Sequence, residues 1–429
     1  MDIRFVRPEE EAQLARNVVT GFPSKTPEAL LHNMAGELKS PEEGRYLGCF
    51  DDSGNLMGSS LLMDFEVNVR GKRMQMGGTA YLSTGFLHKK EHIAKNLVRV
   101  GLGFFAKTGR TVGALHPFNP AFYYKMGFGY CNETMMYSPR PQYIRSYGDK
   151  SGLSYAKPEE EEEILEFYRK YAGKTHGATL HPFMDRHRIF DMPYVVVCRR
   201  EGRITGYLTF EFAEVEHYTD MYHDLAVREL ICEDMETMKQ FLTFFASQTD
   251  QIERVRIYTY EEYFHILFTN PDSGENRAYD GAIQETGRKI MGFMFRILDL
   301  EEYFRQQSHC DKPVSRAFTL ELQVEDDFME SNNKTIWLRI EGDRICQTDA
   351  QKADVVLKAK IADLSSLVVG AIPLEAFLWS EQMECSDHAY VQDIQNAIGW
   401  SRKPRIIHIF KQKEGRGDSS FFLLKKWTE

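Results

Sequence analysis

The stretch from Thr84 to Ala94, TGFLHKKEHIA, runs from a strand-like segment straight into a helical pattern. A helix N-terminus presents unpaired N–H groups and a partial positive charge, which together suit phosphate oxygens. Lys89 and Lys90 add cationic charge at the same place. Two readings of these residues stay open: an anion site, or a solvated basic helix start. A second stretch, His116 to Tyr130 (HPFNPAFYYKMGFGY), sets Tyr123 four residues after Asn119 and four before Gly127. It reads either as a tyrosine aimed at chemistry or as an aromatic turn plugged into a core and ended by glycine.

Both stretches need elements to hold them. Ile3 and Phe5 alternate with polar neighbours as a strand, and PEEEAQLARNVVTGF reads as a helix with acids at its start. GRYLGCF, NLMGSSLLMDFEV and KRMQMGGTAYLST read as three strands, joined by the glycine turns DDSGN and VRGK. From Glu91 the pattern predicts a helix with Ile93, Leu97, Val100 and Phe104 on one face, stopped at Gly109. VGALH then supplies another buried strand.

The arrangement repeats. YVVVCRREGRITGYLTFEFAEV mirrors YLGCFDDSGNLMGSSLLMDFEV, with Gly58 matching Gly206 and Leu82 matching Leu230 at an offset of 148. Phe104 matches Phe244 at an offset of 140, so the second copy is eight residues shorter between strand and helix. The first copy holds GFLHKKEHIA in that interval. The second copy also lacks any match to FYYKMGFGY. Duplication with loss of the working parts in one half is the simplest account. After about residue 288, FTLELQVEDD, NNKTIWLRIEGD and ADVVLKAKI followed by DLSSLVVGAIPLEAFL read as a third, α+β domain. The expected divisions are 1–148, 149–287 and 288–429.

The totals narrow the function classes. With 429 residues, 63 acidic side chains against 53 basic and a net charge of −10, the chain disfavours nucleic acid as a partner and mildly favours amine-bearing substrates. Its seven cysteines are dispersed without a C-x-x-C pair, which points to reduced thiols in a cytosol. The start MDIRFVRPEEEAQ has no signal-peptide core, and no apolar run reaches the roughly 18 residues of a membrane span. A cytoplasmic protein is expected. No G-x-G-x-x-G, G-x-x-x-x-G-K-[ST] or H-E-x-x-H motif occurs, and no metal site is expected. His176 with His181, and His217 with His223, are expected to stabilise local turns or to lie at the surface. The run Glu159 to Glu163 after Pro158 reads as a helix start.

In this order of strand, loop, helix and strand, the segment NPAFYYKMGF resembles the signature of the Gcn5-related N-acetyltransferase (GNAT) superfamily. The resemblance is carried by Asn119, Ala121 (one place early), Phe122, Tyr123, Lys125, Gly127 and Phe128. The duplicated unit followed by the third region is similar to the enhanced-intracellular-survival (Eis) type. In that type a catalytic GNAT domain, a degenerate copy and a sterol-carrier-protein-like domain follow one another. The fold class implied is mixed α/β, or α+β.

The resemblance also implies roles. Acetyl-CoA would lie in a V-shaped opening of the sheet, its pantetheine arm pairing with backbone of Leu82, Ser83 and Thr84. Its diphosphate would take N–H groups of the loop from Lys89 through Lys90, His92 and Ile93 to Ala94, with Asn119 also in the cofactor set. Tyr123 matches the family's general acid, which returns a proton to the coenzyme A thiolate; a phenol of pKa near 10 suits a thiol near 8.5. Gly127 and Phe128 would fix the turn that aims it.

Two positions depart from the family. His92 stands where the loop's central glycine lets the backbone approach the diphosphate; an imidazole there crowds the phosphates or, protonated, binds them. The Eis type ends on a carboxylate that acts as base, whereas here GWSRKPRIIHIF continues past Phe410 to Glu429, so that either Glu429 or another acid would supply the base. The expected function is acetyl-CoA-dependent N-acetylation of a primary amine on an aminoglycoside-like or polyamine-like molecule or a lysine side chain, by a homo-oligomer, hexameric by resemblance. The alternative is a non-catalytic acyl-CoA or apolar-ligand binding protein on the same scaffold.

Overall fold

The computed structural model describes residues 1–22, 44–215, 222–273, 284–349 and 352–406. They form two compact units, one drawn from residues 1–133, 168–185 and 290–406, the other from 134–167 and 186–289.

In the first unit the chain lays down β1 (Asp2–Phe5), α1 (Glu11–Gly21), β2 (Arg45–Phe50), β3 (Leu56–Val69), β4 (Lys72–Thr84), α2 (Ile93–Lys107), β5 (Val112–Leu115), α3 (Pro120–Tyr124) and β6 (Gly129–Tyr130). The sheet order is β1-β2-β3-β4-β5, then the strand Met294–Ile297, then β6, with Thr179–Leu180 adding to β3. β4 and β5 run parallel, joined by the α2 crossover, and the other pairings are antiparallel. Met294–Ile297 comes from the stretch that the sequence places in the third domain, yet it fills the gap between β5 and β6. Its residues Met294, Phe295, Arg296 and Ile297 are all buried, as an interior strand requires.

α2 lies over β3 and β4. Its buried face is Ile93, Leu97, Val98, Gly101, Leu102 and Phe105, whereas Val100, expected on that face, is exposed. Glycines decide the rotation. The Phe105 ring sits 2.3 Å from where a Cβ on Gly77 would be, and Gly101 sits so close to Leu62 that its own Cβ would be 3.0 Å away. These close approaches turn the 97/98/101/105 stripe inward and leave Val100 on the rim.

The third region forms a five-stranded sheet in the order Arg344–Gln347, Lys334–Glu341, Phe318–Glu325, Val355–Lys360, Met383–Cys385. Its helix Ile361–Val368 is buried at every position, because it touches this sheet and also β6 and Met294–Ile297 of the first one. Ser365 Oγ accepts from Ile297 N at 3.1 Å across that junction.

A second junction forms at the β3–β4 turn, where Arg70 and Gly71 both take left-handed φ (+55° and +82°). The Arg70 guanidinium donates to the carbonyls of His309 (2.7 Å) and Ala397 (3.0 Å) and lies over the Trp400 ring. Its backbone N–H donates to His176 Nδ1 at 3.0 Å, and His176 Nε2 faces the Val369 carbonyl at 2.8 Å. His176 and His181 are therefore buried rather than at the surface, because pairing of Thr179–Leu180 with β3 draws the segment inward; His217 lies outside the described residues. Burial holds His176 down to about pKa 4, below the usual 6.5. Folding thus favours the neutral ring, and the contribution is lost as pH falls from 6.5 towards 4. Between pH 7 and 5 this group alone is expected to cost about 2 kcal/mol of stability. Melting temperatures at the two pH values check it: the acid sensitivity should shrink in His176→Gln.

The second unit carries a seven-stranded sheet whose interior strands are Glu133–Tyr137, Ile252–Thr259, His223–Cys232, Arg203–Glu214 and Tyr194–Arg200. His223–Cys232 and Ile252–Thr259 are its parallel pair, with helix Met235–Ala246 between them in sequence, so it repeats the plan of β4, α2 and β5.

Candidate active site

β4 carries the decisive irregularity. Its pairing with β3 runs Gly58↔Thr84 and Ser59↔Ser83, then slips to Leu61↔Ala80, so Tyr81 and Leu82 together face Ser60. Tyr81 takes a left-handed φ of +46°. Such a bulge bends its strand and raises the local twist. The β4–β5 ladder stops at the same level, its last pair being Thr79↔Leu115. From Ala80 to Thr84 the β4 backbone is thus paired to β3 on one side and, among the described residues, to no strand on the other. From Leu82 to Thr84 such an edge presents backbone groups of the kind an extended, amide-bearing ligand pairs with.

The bulged end is braced from below. Asn17 Oδ1, on α1, accepts from Ser83 Oγ and from Ser59 Oγ at 3.0 Å, all three groups being buried. Gly21 lets α1 close on Ser83, since a Cβ there would fall 2.7 Å from the serine Cβ. Ser83 therefore commits its hydroxyl to this buried network, and Thr84 beside it is buried as well. Leu82 is half-buried against the core cluster that includes Ile93, Leu115 and Tyr123.

β4 runs on through Gly85, whose N–H bonds the Met57 carbonyl at 2.8 Å, into the loop before α2. Lys89, Lys90 and His92 are exposed there, while Ile93 is buried and Ala94 half-buried. Lys90 (φ +72°) and His92 (φ +61°) both sit in the left-handed region that glycine favours, each at a cost of about 1 kcal/mol. His92 thus keeps a glycine's backbone conformation without being glycine. It stands at the cap position of α2, and its side chain makes no capping bond.

The second copy differs at this point. Its strand His223–Cys232 has the same slip, Thr209↔Glu229 then Phe210↔Val227, which leaves Arg228 unmatched. The Arg228 guanidinium bonds Glu211 and lies 5.5 Å from the centre of the Tyr258 ring on the neighbouring strand. Asp234 caps the following helix by accepting from Thr237 N at 2.9 Å, and it pairs with Arg200. A fixed carboxylate already satisfies this helix N-terminus and repels a second anion. The first copy retains an uncapped one.

Tyr123 enters on α3, a short helix started by Asn119, whose Oδ1 accepts from Phe122 N at 3.3 Å. Asn119, expected in the cofactor set, thus spends its side chain as a helix cap. The turn closes through Met126 N and Phe128 N, both on the Tyr123 carbonyl (2.9 and 3.2 Å), with Gly127 at φ +81°. Tyr123 is 8% exposed, edge-on to Phe122 and Phe128, and burial pushes its phenol up to about 12. Its hydroxyl bonds none of the described residues. The next phenol, Tyr124, is committed to both oxygens of Asp363 at 2.8 and 2.9 Å, which with burial raises its pKa well above the usual phenol value. Of the two adjacent tyrosines, Tyr124 has its hydroxyl engaged by a carboxylate and Tyr123 does not.

Glu429 lies outside the described residues. Asn17, Asp363 and Arg296 were not singled out by their types, although each leaves a trace: a polar residue within an apolar helix face or strand. Among the described residues no group of three or more His, Cys, Asp and Glu is placed to hold a metal ion, and no helix is long and apolar enough to cross a membrane.

Comparison with known proteins agrees with this geometry. Residues 2–131 and 178–297 each match an acetyltransferase (GNAT) domain family, and 303–407 match a sterol carrier protein domain family. Among curated proteins none matches the sequence. Similar solved structures include a conserved protein of unknown function, probable N-acyltransferase, from Enterococcus faecalis V583 (TM-score 0.80, 16% identity, covering 95% of this chain and 99% of that one). A GCN5-related N-acetyltransferase from Anabaena variabilis gives 0.79 at 15% identity, covering 95% and 99%. Eis1 from Mycobacterium abscessus gives 0.74 at 16%, covering 96% and 100%. The chain thus carries two GNAT acetyltransferase domains followed by a sterol carrier protein domain, an arrangement whose fold it shares with Eis1.

Proposed function

We propose that the first division, residues 1–148, transfers an acetyl group from acetyl-CoA to a primary amine of an aminoglycoside-like or polyamine-like molecule or of a lysine side chain. The observation that carries this reading is the freed edge of β4 leading into an uncapped helix N-terminus, present in the first copy and blocked by Asp234 in the second. When bound, acetyl-CoA supplies the activated acyl thioester. Backbone groups of Leu82, Ser83 and Thr84 would hold its amide-bearing arm, and Lys89, Lys90 and the N–H groups from His92 to Ala94 its phosphates. Tyr123 would keep a proton until a thiolate leaves and then yield it. Homo-oligomeric assembly and a cytoplasmic setting belong to the same reading.

The test is a titration of coenzyme A followed by melting temperature. At ligand well above Kd an upward shift of several degrees is expected. Lys89→Ala/Lys90→Ala should weaken binding by roughly tenfold or more, through loss of two cationic phosphate contacts. No shift at millimolar coenzyme A would favour the non-catalytic scaffold instead.

A further inference from the structure

Among the described residues Arg296 is the largest fully buried side chain. It sits in the strand Met294–Ile297, opposite Gly113 of β5. Its Nη1 donates to the Met126 carbonyl, in the turn that closes on Tyr123. Its Nη2 donates to Asp326 Oδ2 at 2.5 Å, the two side chains being 0% and 1% exposed. Asp326 belongs to the third domain, and its Oδ1 is fixed by Phe328 N (3.0 Å) and Met329 N (2.9 Å). The guanidinium occupies the space that a Cβ on Gly127 would need.

An ion pair sealed from water is a poor device for stability, since desolvation offsets most of its attraction and apolar side chains of similar size do as well. Here Nε has no hydrogen-bond partner among the described residues, which makes the arrangement poorer still. What an apolar pair could not do is grip the Met126 carbonyl. Met126 N bonds the Tyr123 carbonyl, so the grip is passed within one turn to the backbone that carries the phenol.

We propose that Arg296 and Asp326 are positioning residues for Tyr123: the third domain, through Asp326, holds the guanidinium that locks the tyrosine turn. This rests on the reading of Tyr123 as proton donor. The sterol-carrier-type domain is then part of the acyl-transfer machinery rather than an appended module.

The test compares, in the full chain, Arg296→Gln/Asp326→Asn with Tyr123→Phe and with the triple variant. Removing both charges together leaves no unpaired buried ion. The paired variant should lose about tenfold or more in kcat, since a small misplacement of a reacting group is that costly. Its KM for acetyl-CoA and its coenzyme A melting shift should stay within about twofold of the parent. In the Tyr123→Phe background the same changes should cost little further, because no donor remains to be aimed. A merely structural role would instead weaken coenzyme A binding and lower turnover equally in both backgrounds. If the paired variant does not fold, Arg296→Lys, which keeps a cation beside Asp326 but has one nitrogen for the two acceptors, takes its place with the same readouts. Unchanged turnover in Tyr123→Phe sinks both this inference and the functional reading. Parental kcat in a folded paired variant, or equal losses in the two backgrounds, beside an impaired Tyr123→Phe, sinks this inference alone.

Discussion

Tyr123→Phe is expected to lower kcat by about a hundredfold or more while leaving the fold and coenzyme A affinity intact. The change removes one oxygen that bonds none of the described residues, so no partner is orphaned. Melting temperature should hold or rise slightly, which separates chemistry from packing. The expected loss is that of a general acid, typically a factor of about 10² to 10⁴. The raised phenol pKa sets the pH behaviour. With a folded value of about 12 against an ordinary 10, the donor stays protonated throughout neutral and mildly alkaline conditions. The kcat profile should therefore show no descending limb near pH 10 from this group. The folded state holds the proton more tightly than the unfolded chain, so this group's stabilising contribution is complete below pH 10 and lost as pH rises towards 12. Stopped-flow or steady-state assays across pH 6 to 10 check the first part. Parental kcat in the phenylalanine variant would reduce Tyr123 to a core side chain.

Gly127→Ala should be the most destabilising single-methyl change in the site. A Cβ there would stand 1.4 Å from Arg296 Nη1 and 2.8 Å from Ile361 Cγ2, and the residue has φ +81°. Left-handed strain costs about 1 kcal/mol, and dislodging a buried guanidinium from its carboxylate costs about 3 kcal/mol or more. A fall of roughly 4 kcal/mol in unfolding free energy is expected, read from denaturant midpoints, with turnover lost even in the folded fraction. Gly103→Ala, in the body of α2 with nothing within 4 Å, is the control and should stabilise by about 0.5–1 kcal/mol. Equal effects of the two substitutions would show that Gly127 is needed for neither the turn nor the guanidinium.

Phe128 is buried completely, and Gly129 is pressed against Ala362 O, so close that a Cβ would fall 1.9 Å from it. The GFG run after Tyr123 is thus a packing sequence as much as a turn sequence. One glycine admits a side chain from a distant strand, the other the backbone of a third-domain helix.

What neighbouring residues decide among themselves is legible from their order alone. Alternation and helical spacing marked β1 to β5, α1 and α2. Paired offsets exposed the duplication, and the eight-residue difference marked the junction where one copy keeps an open helix N-terminus and the other is capped by Asp234. Tyr123 and Gly127 were legible because a turn's conformation follows from residues three or four apart. Long-range packing sets which strand fills the gap beside β5 and which face of α2 turns inward, and the folded turn shows that Asn119 caps a helix. Packing likewise places His176 in a core and ties Arg296, 170 residues beyond Met126, to its carbonyl. Strand partners and buried ion pairs join chain segments whose separation leaves no periodic mark, because the energy that selects them is released only when both surfaces leave water together.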